Sequence, residues 1–198
     1  MSVLSHFILW WLGLAQAETQ TSQAERDCLV RHAAGKRRLV EIGVWHGVTT
    51  ARLRAVMASD AVLYAVDPFP AGRLGVSLQR AIARHEVGHV RNGAVEWVRL
   101  TGAEAGRRHA AASHAPVDFV FIDGDHTYQA VRDDWEAWSP LVESGGFISL
   151  HDSHPTAARC IHATGSVRFT EERVLSDRRF LVVEVVETLT VLRRVAAA

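Results

Sequence analysis

The run Val40-Glu41-Ile42-Gly43-Val44-Trp45-His46-Gly47-Val48-Thr49-Thr50 decides the fold. It leaves an apolar strand, Arg38–Ile42, breaks at two glycines that permit a tight turn, and continues at helical spacing from Thr49 to Ala58. A strand feeding a helix through a glycine turn is half of a βαβ unit. The same alternation repeats outward along the chain. Strands are expected at Val62–Val66, Ala94–Leu100, Val117–Ile122 and Phe147–Leu150, and helices at Leu74–Val87, Ala103–Ala112 and Tyr128–Trp138. Val117–Ile122 is apolar except for Asp118, which suits a strand covered on both faces. Tyr128, Val131, Trp135 and Trp138 share one helical stripe, so the two tryptophans read as core. Phe180–Glu187 and Leu189–Arg193 have no helix between them and predict an antiparallel pair at a sheet edge. The expected architecture is therefore α/β, a doubly wound, mostly parallel sheet with an antiparallel C-terminal hairpin.

Composition bounds the rest. The 198 residues hold 22 basic and 22 acidic side chains, so no net charge is available to neutralise phosphates and no nucleic-acid partner is expected. An apolar content of 48% excludes a disordered chain. Two cysteines, Cys28 and Cys160, are too few for a disulfide framework and too far apart for a zinc site, which favours reduced thiols and a cytoplasmic setting. Val3–Leu14 followed by Ala15-Gln16-Ala17 imitates a signal peptide, yet no Lys or Arg precedes the run, His6 interrupts it, and Trp10-Trp11 make it bulky. An amphipathic helix docked on the body, or on a second copy in a homo-oligomer, is the reading preferred. The run falls short of the ~20 apolar residues that span a bilayer, so no membrane partner is expected. Thr21-Ser22-Gln23-Ala24-Glu25 starts a helix over Ala24–Ala34 that Gly35 ends. The chain thus divides into an N-terminal helical segment, 1–37, and a sheet domain, 38–198.

In open α/β sheets ligands sit at the carboxyl ends of the strands. After the first strand stand Gly43 and Gly47, with Thr49 or Thr50 placed to cap the next helix; after the second stands Asp67, placed for ribose hydroxyls. Trp45 occupies the position of the second glycine of G-x-G-x-x-G, the one that admits a pyrophosphate, and no P-loop is present. Strand four ends in Asp123-Gly124-Asp125-His126 and strand five in His151-Asp152, so three carboxylates and two imidazoles share one rim. Two chemistries suit that rim. Carboxylates with a His can hold a divalent cation that acidifies a hydroxyl. Alternatively His126 or His151 acts as a general base with an aspartate fixing its tautomer. His46 and the remaining His residues (His32, His85, His89, His109, His114, His154, His162) are expected to be mostly solvent-facing. Arg73, Arg80, Arg84, His85, His89 and Arg91 form a basic stretch that reads as a solvated face or an anionic-substrate surface.

The runs Val40-Glu41-Ile42-Gly43-x-x-x-Gly47-x-Thr49-Thr50, Ala65-Val66-Asp67-Pro68-Phe69, Phe121-Ile122-Asp123-Gly124-Asp125-His126-x-Tyr128 and Gly145-Gly146-x-Ile148-x-x-His151-Asp152 together resemble the class I S-adenosylmethionine-dependent methyltransferases. The nearer likeness is to small O-methyltransferases with I-D-G-D-H-x-Y and G-G-x-x-x-x-H-D signatures, over Leu39 to Arg194. That resemblance implies a Rossmann-like fold, S-adenosyl-L-methionine as cofactor, and a small-molecule hydroxyl acceptor, a sugar or phenolic natural product. It implies Glu41 and Gly43, with Gly47 and Thr49 of the same turn, at the methionine end, Asp67 at the ribose, Gly102 and Ala103 at the adenine, and Asp123 alongside. Metal-dependent relatives imply Asp123, His151 and Asp152 as ligands to Mg²⁺ or another divalent cation, with Asp125 or His126 as base; His151 is the alternative base. Trp45 departs from the family's G-x-G-x-G. Two rival classes are an NAD(P)-linked oxidoreductase, disfavoured by the missing pyrophosphate glycines, and a non-catalytic nucleotide-binding subunit whose N-terminal segment docks a partner. The acceptor pocket is expected from Phe69–Arg91, the turn after Asp152, and Val3–Leu14.

Overall fold

The computed structural model describes residues 2–72 and 75–196. Strands β1 (Arg38–Ile42), β2 (Val62–Val66), β3 (Ala94–Val98), β4 (Val117–Ile122), β5 (Val142–Leu150), β6 (Phe180–Val186) and β7 (Leu189–Arg194) form one sheet in the order β3-β2-β1-β4-β5-β7-β6. The first five pair in parallel, and β7 runs antiparallel to both β5 and β6. Strand order reverses between β1 and β4, which opens a crevice at their carboxyl ends.

Side chains alternate between two cores, as the period of two demands. On β1, Leu39 packs with Leu29, Leu53 and Phe121, while Val40 and Ile42 face Val131, Trp135 and Trp138. On β4, Phe119 and Phe121 face the first core and Val120 and Ile122 the second. Asp118 is the one acid of β4, and its carboxylate accepts the N–H groups of Arg37 (2.8 Å) and Arg38 (2.9 Å) where β1 begins. A buried acid in an apolar strand is thus satisfied by otherwise free backbone donors.

Helices α1 (Val3–Trp11), α2 (Gln23–Ala33), α3 (Val48–Val56), α4 (Leu78–Gly88), α5 (Gly102–Ala111), α6 (Tyr128–Trp138) and α7 (Gly165–Phe169) complete the fold. Helix α2 starts with a capping box between Ser22 and Glu25. Several expected boundaries move. Gly47, at φ 77°, caps α3, so Thr49 and Thr50 lie inside the helix and are buried, not capping. The α4 helix begins at Leu78, after the Ser77 side chain accepts Arg80 N–H; Gly75–Ser77 is not helical, and Arg73 and Leu74 lie outside the described residues. Strand β3 stops at Val98, and β5 begins at Val142, with Gly145 at φ 80° beside a register shift. Between Asp152 and Phe180, where sequence reading assigns no element, α7 runs into one π turn, Thr170–Val174. Gly165 is required there, because a Cβ would lie 1.9 Å from Tyr128 N.

The histidines correct the expectation of a solvent-facing set. His46 and His109 are buried and His32 is half-buried, whereas His85, His89, His114, His154 and His162 are exposed. His109 sits among Tyr64, His114 and Trp138 and bonds the Ala115 carbonyl. Helix α1 docks on α4, where Trp10 Nε1 donates to Glu86 (3.0 Å) and the Trp10 ring meets His85 edge-on. Among the described residues no helix is long and apolar enough to cross a membrane.

Candidate active site

A cavity of about 670 Å³ lies at the carboxyl ends of β1, β2 and β4, a size that suits a nucleoside-bearing ligand. Its floor is the turn after β1. Gly43 adopts φ 89°, and a Cβ there would fall 2.0 Å from the Asp123 carbonyl oxygen, so only glycine lets this turn lie against the end of β4. Two residues on, Trp45 is also left-handed (φ 52°) and is 41% exposed at the rim. The Asp67 carboxylate holds the turn in place by accepting Val44 N–H (3.0 Å), Trp45 N–H (3.2 Å) and Phe69 N–H (2.7 Å). Asp67 therefore shapes the loop as well as lining the cavity. Gly47 does not line the cavity. A Cβ there would meet the α4 backbone at Ala83 at 3.0 Å, so it serves the packing of α3 on α4.

The cavity is acidic. Glu41, Asp67, Asp123, Asp125 and Asp134 all line it, as do Gly102, Ala103 and Thr49. Glu41 is buried, and among the described residues its Oε2 accepts no hydrogen bond. Burial, with Asp123 and Asp67 nearby, pushes its carboxyl well above the ordinary range. Burial likewise raises Asp134 to about 7, although the Ala103 N–H donates to it. Gly102 lies against that carboxyl, where a Cβ would come 2.4 Å from Asp134 Oδ1. Its carbonyl accepts Trp138 Nε1–H at 2.8 Å, which ties α5 to α6 at the cavity wall.

Beyond the cavity floor, the ends of β4 and β5 bring two imidazoles and two carboxylates together. His151 is buried, with Nδ1 2.8 Å from Asp123 Oδ1, off the ring's N–H axis, and Nε2 3.3 Å from Glu25 Oε2. Burial alone would lower the His151 pKa, but Asp123 and Glu25 outweigh it and hold it at about 10. Glu25 in turn accepts the Thr188 N–H (3.0 Å), the Thr188 hydroxyl (2.6 Å) and Ser22 N–H (2.8 Å); against a burial effect of opposite sign, His151 and these donors hold it at about 2. Sequence reasoning missed Glu25. Its only signal was the helix-start pattern, which accounts for the Ser22 bond but not for the reach to His151.

His126 is half-buried on the cavity wall. Its Nε2 lies 3.9 Å from Asp123 Oδ1 and 3.8 Å from Asp152 Oδ2, too far for hydrogen bonds and wide enough to admit a small polar atom. Asp152, left-handed at φ 47°, is ion-paired with Arg159, whose Nη2 lies 3.1 Å from each carboxylate oxygen and donates to Oδ2. Asp125 accepts Thr127 N–H (2.8 Å) and so helps turn the chain into α6. Donor atoms of Asp123, His126 and His151 lie within 4.8 Å of one another, with Asp152 outside that set. His151 and Asp152 do not line the cavity; Asp123, Asp125 and His126 do.

Residues 40–153 match the family model described as a methyltransferase domain. The O-methyltransferase from Bacillus cereus, solved with S-adenosylhomocysteine, superposes with a TM-score of 0.65 at 17% identity, covering 97% of this chain and 89% of that one. The O-methyltransferase TomG from Streptomyces achromogenes, solved with S-adenosylmethionine, gives 0.66 at 17% identity, covering 99% and 91%. The uncharacterized protein y4gI from Sinorhizobium fredii is 30% identical over 129 residues, 62% of this chain and 14% of that protein, so the chain spans about one seventh of the curated relative's length. With a family match over more than half its length, carried on a seven-stranded sheet of this order, the chain belongs to the methyltransferase-domain family and has the class I methyltransferase fold.

Proposed function

We propose that the protein transfers the methyl group of S-adenosyl-L-methionine to a hydroxyl oxygen of a small molecule, a sugar or a phenol, with His126 as the general base. The observation that carries this reading is the position of His126 Nε2 on the wall of an acidic cavity, 3.8–3.9 Å from two carboxylates. The cavity fits the cofactor's chemistry: Asp67, Asp123 and Asp125 complement a ligand bearing sulfonium and ammonium charge, and Oε2 of the buried Glu41 lacks a donor that such a ligand would supply. The cofactor, when bound, supplies an electrophilic methyl group. The protein's share is to align the acceptor oxygen and remove its proton. His126 Nε2 takes that proton, Asp123 and Asp152 stabilise the imidazolium, and the half-exposed ring passes the proton to solvent.

The imidazolium of His151, locked between Asp123 and Glu25, fixes the Asp123 carboxylate and is not the base in this scheme. A second reading keeps the acceptor and adds a divalent cation, favoured by the donor atoms of Asp123, His126 and His151, which lie within 4.8 Å of one another. Asp123, His126 and His151 would hold the ion, which would supply Lewis acidity to the hydroxyl. His151 would have to release its proton to ligate, so ion binding in this reading tightens as pH rises.

Calorimetric titration with S-adenosylhomocysteine and with NADH tests the cofactor. Binding of the first alone is expected, and tight NADH binding alone would support the oxidoreductase instead. Release of S-adenosylhomocysteine is then scored against a panel of phenols and hexoses. His126→Ala is expected to bind S-adenosylhomocysteine normally and to lose activity by about 10²–10⁴-fold, the usual worth of a general base. Unchanged turnover would remove His126 from the mechanism. Activity abolished by EDTA and restored by Mg²⁺ would select the metal reading.

A further inference from the structure

A second cluster of donors lies at the edge of the cavity, away from Asp123 and His126, where the N-terminal segment crosses the turn after β1 and Glu18 joins the lining. His6 of α1 is 6% exposed, and neither ring nitrogen has a hydrogen-bond partner among the described residues. Its ring stacks on that of His46, with centroids 5.0 Å apart and planes 10° from parallel. Glu18, in the strap between α1 and α2, brings Oε1 to 3.2 Å from His6 Nδ1. One donor atom from each of His6, Glu18 and His46 lies within 4.8 Å of the other two.

We propose that His6, Glu18 and His46 form a binding site for a first-row divalent transition metal of the Zn²⁺ type, which clamps α1 and the Glu18 strap onto the turn that lines the cavity. A buried imidazole whose Nε2 has no partner and whose Nδ1 has only the misaligned Glu18 carboxylate is costly, and a metal ion supplies the missing partner. The tautomer of His46 is already suited to ligation. Its Nδ1 accepts Glu18 N–H at 3.1 Å, so the ring proton is on Nε2 and a lone pair stands on Nδ1. The ion takes that lone pair, and the Glu18 N–H, on an exposed strap, passes to water. Two imidazoles and one carboxylate leave a fourth position for water, and half the Glu18 side chain is exposed to admit it. His46 lies between Trp45 and Gly47, so the ion would fix the turn from outside, without touching the catalytic rim.

The test is titration of the full chain with Co²⁺, followed by competition with Zn²⁺. One ion per chain is expected, with visible d–d bands and no thiolate charge-transfer band. The latter would place the ion at the Cys28, His32 and Glu184 cluster instead and overturn the proposal. His6→Ala and Glu18→Gln should each weaken the site, His6→Ala by more than about 100-fold, beyond what loss of a mere supporting residue costs. Far-ultraviolet circular dichroism of each metal-free variant confirms that it is folded, and the exposed Glu18→Gln keeps the test open if His6→Ala does not fold. No Co²⁺ bands in the parent chain, or bands unchanged in both variants, would refute the site.

Discussion

Replacing Glu25 by Ala should destabilise the protein severely, although Glu25 lies outside the family-matched segment. Its side chain is 1% exposed and that of His151 is 0%, so solvent screens neither. Removing the carboxylate leaves the His151 imidazolium with Asp123 and the more distant Asp152, both on its Nδ1 side, and orphans the N–H groups of Thr188 and Ser22 and the Thr188 hydroxyl. Breaking a buried charge pair by deleting one partner costs about 3–5 kcal/mol. For a chain of this size that corresponds to a fall in Tm of roughly 6–20 °C, read by differential scanning calorimetry. Glu25→Gln keeps acceptors for Thr188 and should lose roughly half as much. The pH profile supplies a second readout. His151 is held at about 10 against an ordinary 6.5, so its contribution is complete below 6.5 and fades as pH rises through 10. Glu25 is held at about 2 against 4.5, so its contribution is complete above 4.5 and fades as pH falls through 2. The pair is worth most between pH 4.5 and 6.5, and Glu25→Gln should remove the acid arm and shrink the alkaline one. A loss below about 1 kcal/mol for Glu25→Ala, the scale of one ordinary hydrogen bond, would refute the buried pair.

Three further outcomes follow from the cavity walls. Gly43→Ala would place a Cβ 2.0 Å from the Asp123 carbonyl oxygen at φ 89°; an overpacking cost of about 3 kcal/mol or more in urea unfolding is expected, with loss of S-adenosylhomocysteine binding. The raised carboxyl of Asp134, about 7 in the folded chain against 3.8, makes stability fall as pH climbs through that interval, because the unfolded chain gives up its proton first; Asp134→Asn should flatten the fall and leave the variant the more stable at pH 8 by urea midpoint. Trp138→Phe should cost about 0.5–1.5 kcal/mol by removing the side-chain donor that the Gly102 carbonyl accepts in addition to its helical one, and a variant as stable as the parent would show that the bond contributes nothing.

The sheet was legible because each strand carries its own evidence. The all-apolar run of β4 and the two-residue alternation of β1 encode burial on two faces, and Gly43 encodes a turn that only glycine can make. Boundaries were less legible where a local contact decides them. Gly47 caps α3 by virtue of its left-handed backbone, a property that its identity permits but does not demand. Ser77 ends the loop before α4 by capping, against an apolar spacing that points to an earlier start. The carboxylates and imidazoles at the ends of β4 and β5 could be found because parallel strands with a known neighbour must end side by side. Their partners could not. Nothing in the spacing of Glu25 indicates His151, which lies 126 residues away in sequence, or Thr188, 163 residues away.

That limit explains the histidines. Counted along the chain they look like a compositional surplus, and exposure is the natural expectation for residues scattered through helices and turns. Packing separates them. His151 is charged because two carboxylates from distant elements enclose it, whereas burial, with His6 stacked beside it, lowers the pKa of His46 against the opposing pull of Glu18. Each contact joins the segment before β1 to a ligand-bearing end of the sheet: Glu25 to the end of β5, and Glu18 and His6 to the turn after β1. The N-terminal helices therefore act on both halves of the site, one through a buried ion pair and one through a ring stack. Shortening the chain to begin at β1 should consequently remove more than a cover. It would leave His151 without Glu25 and the β1 turn without its outer support. Such a truncate is expected to lose S-adenosylhomocysteine affinity even if it folds, and a truncate that binds as tightly as the full chain would show that the sheet alone holds the site.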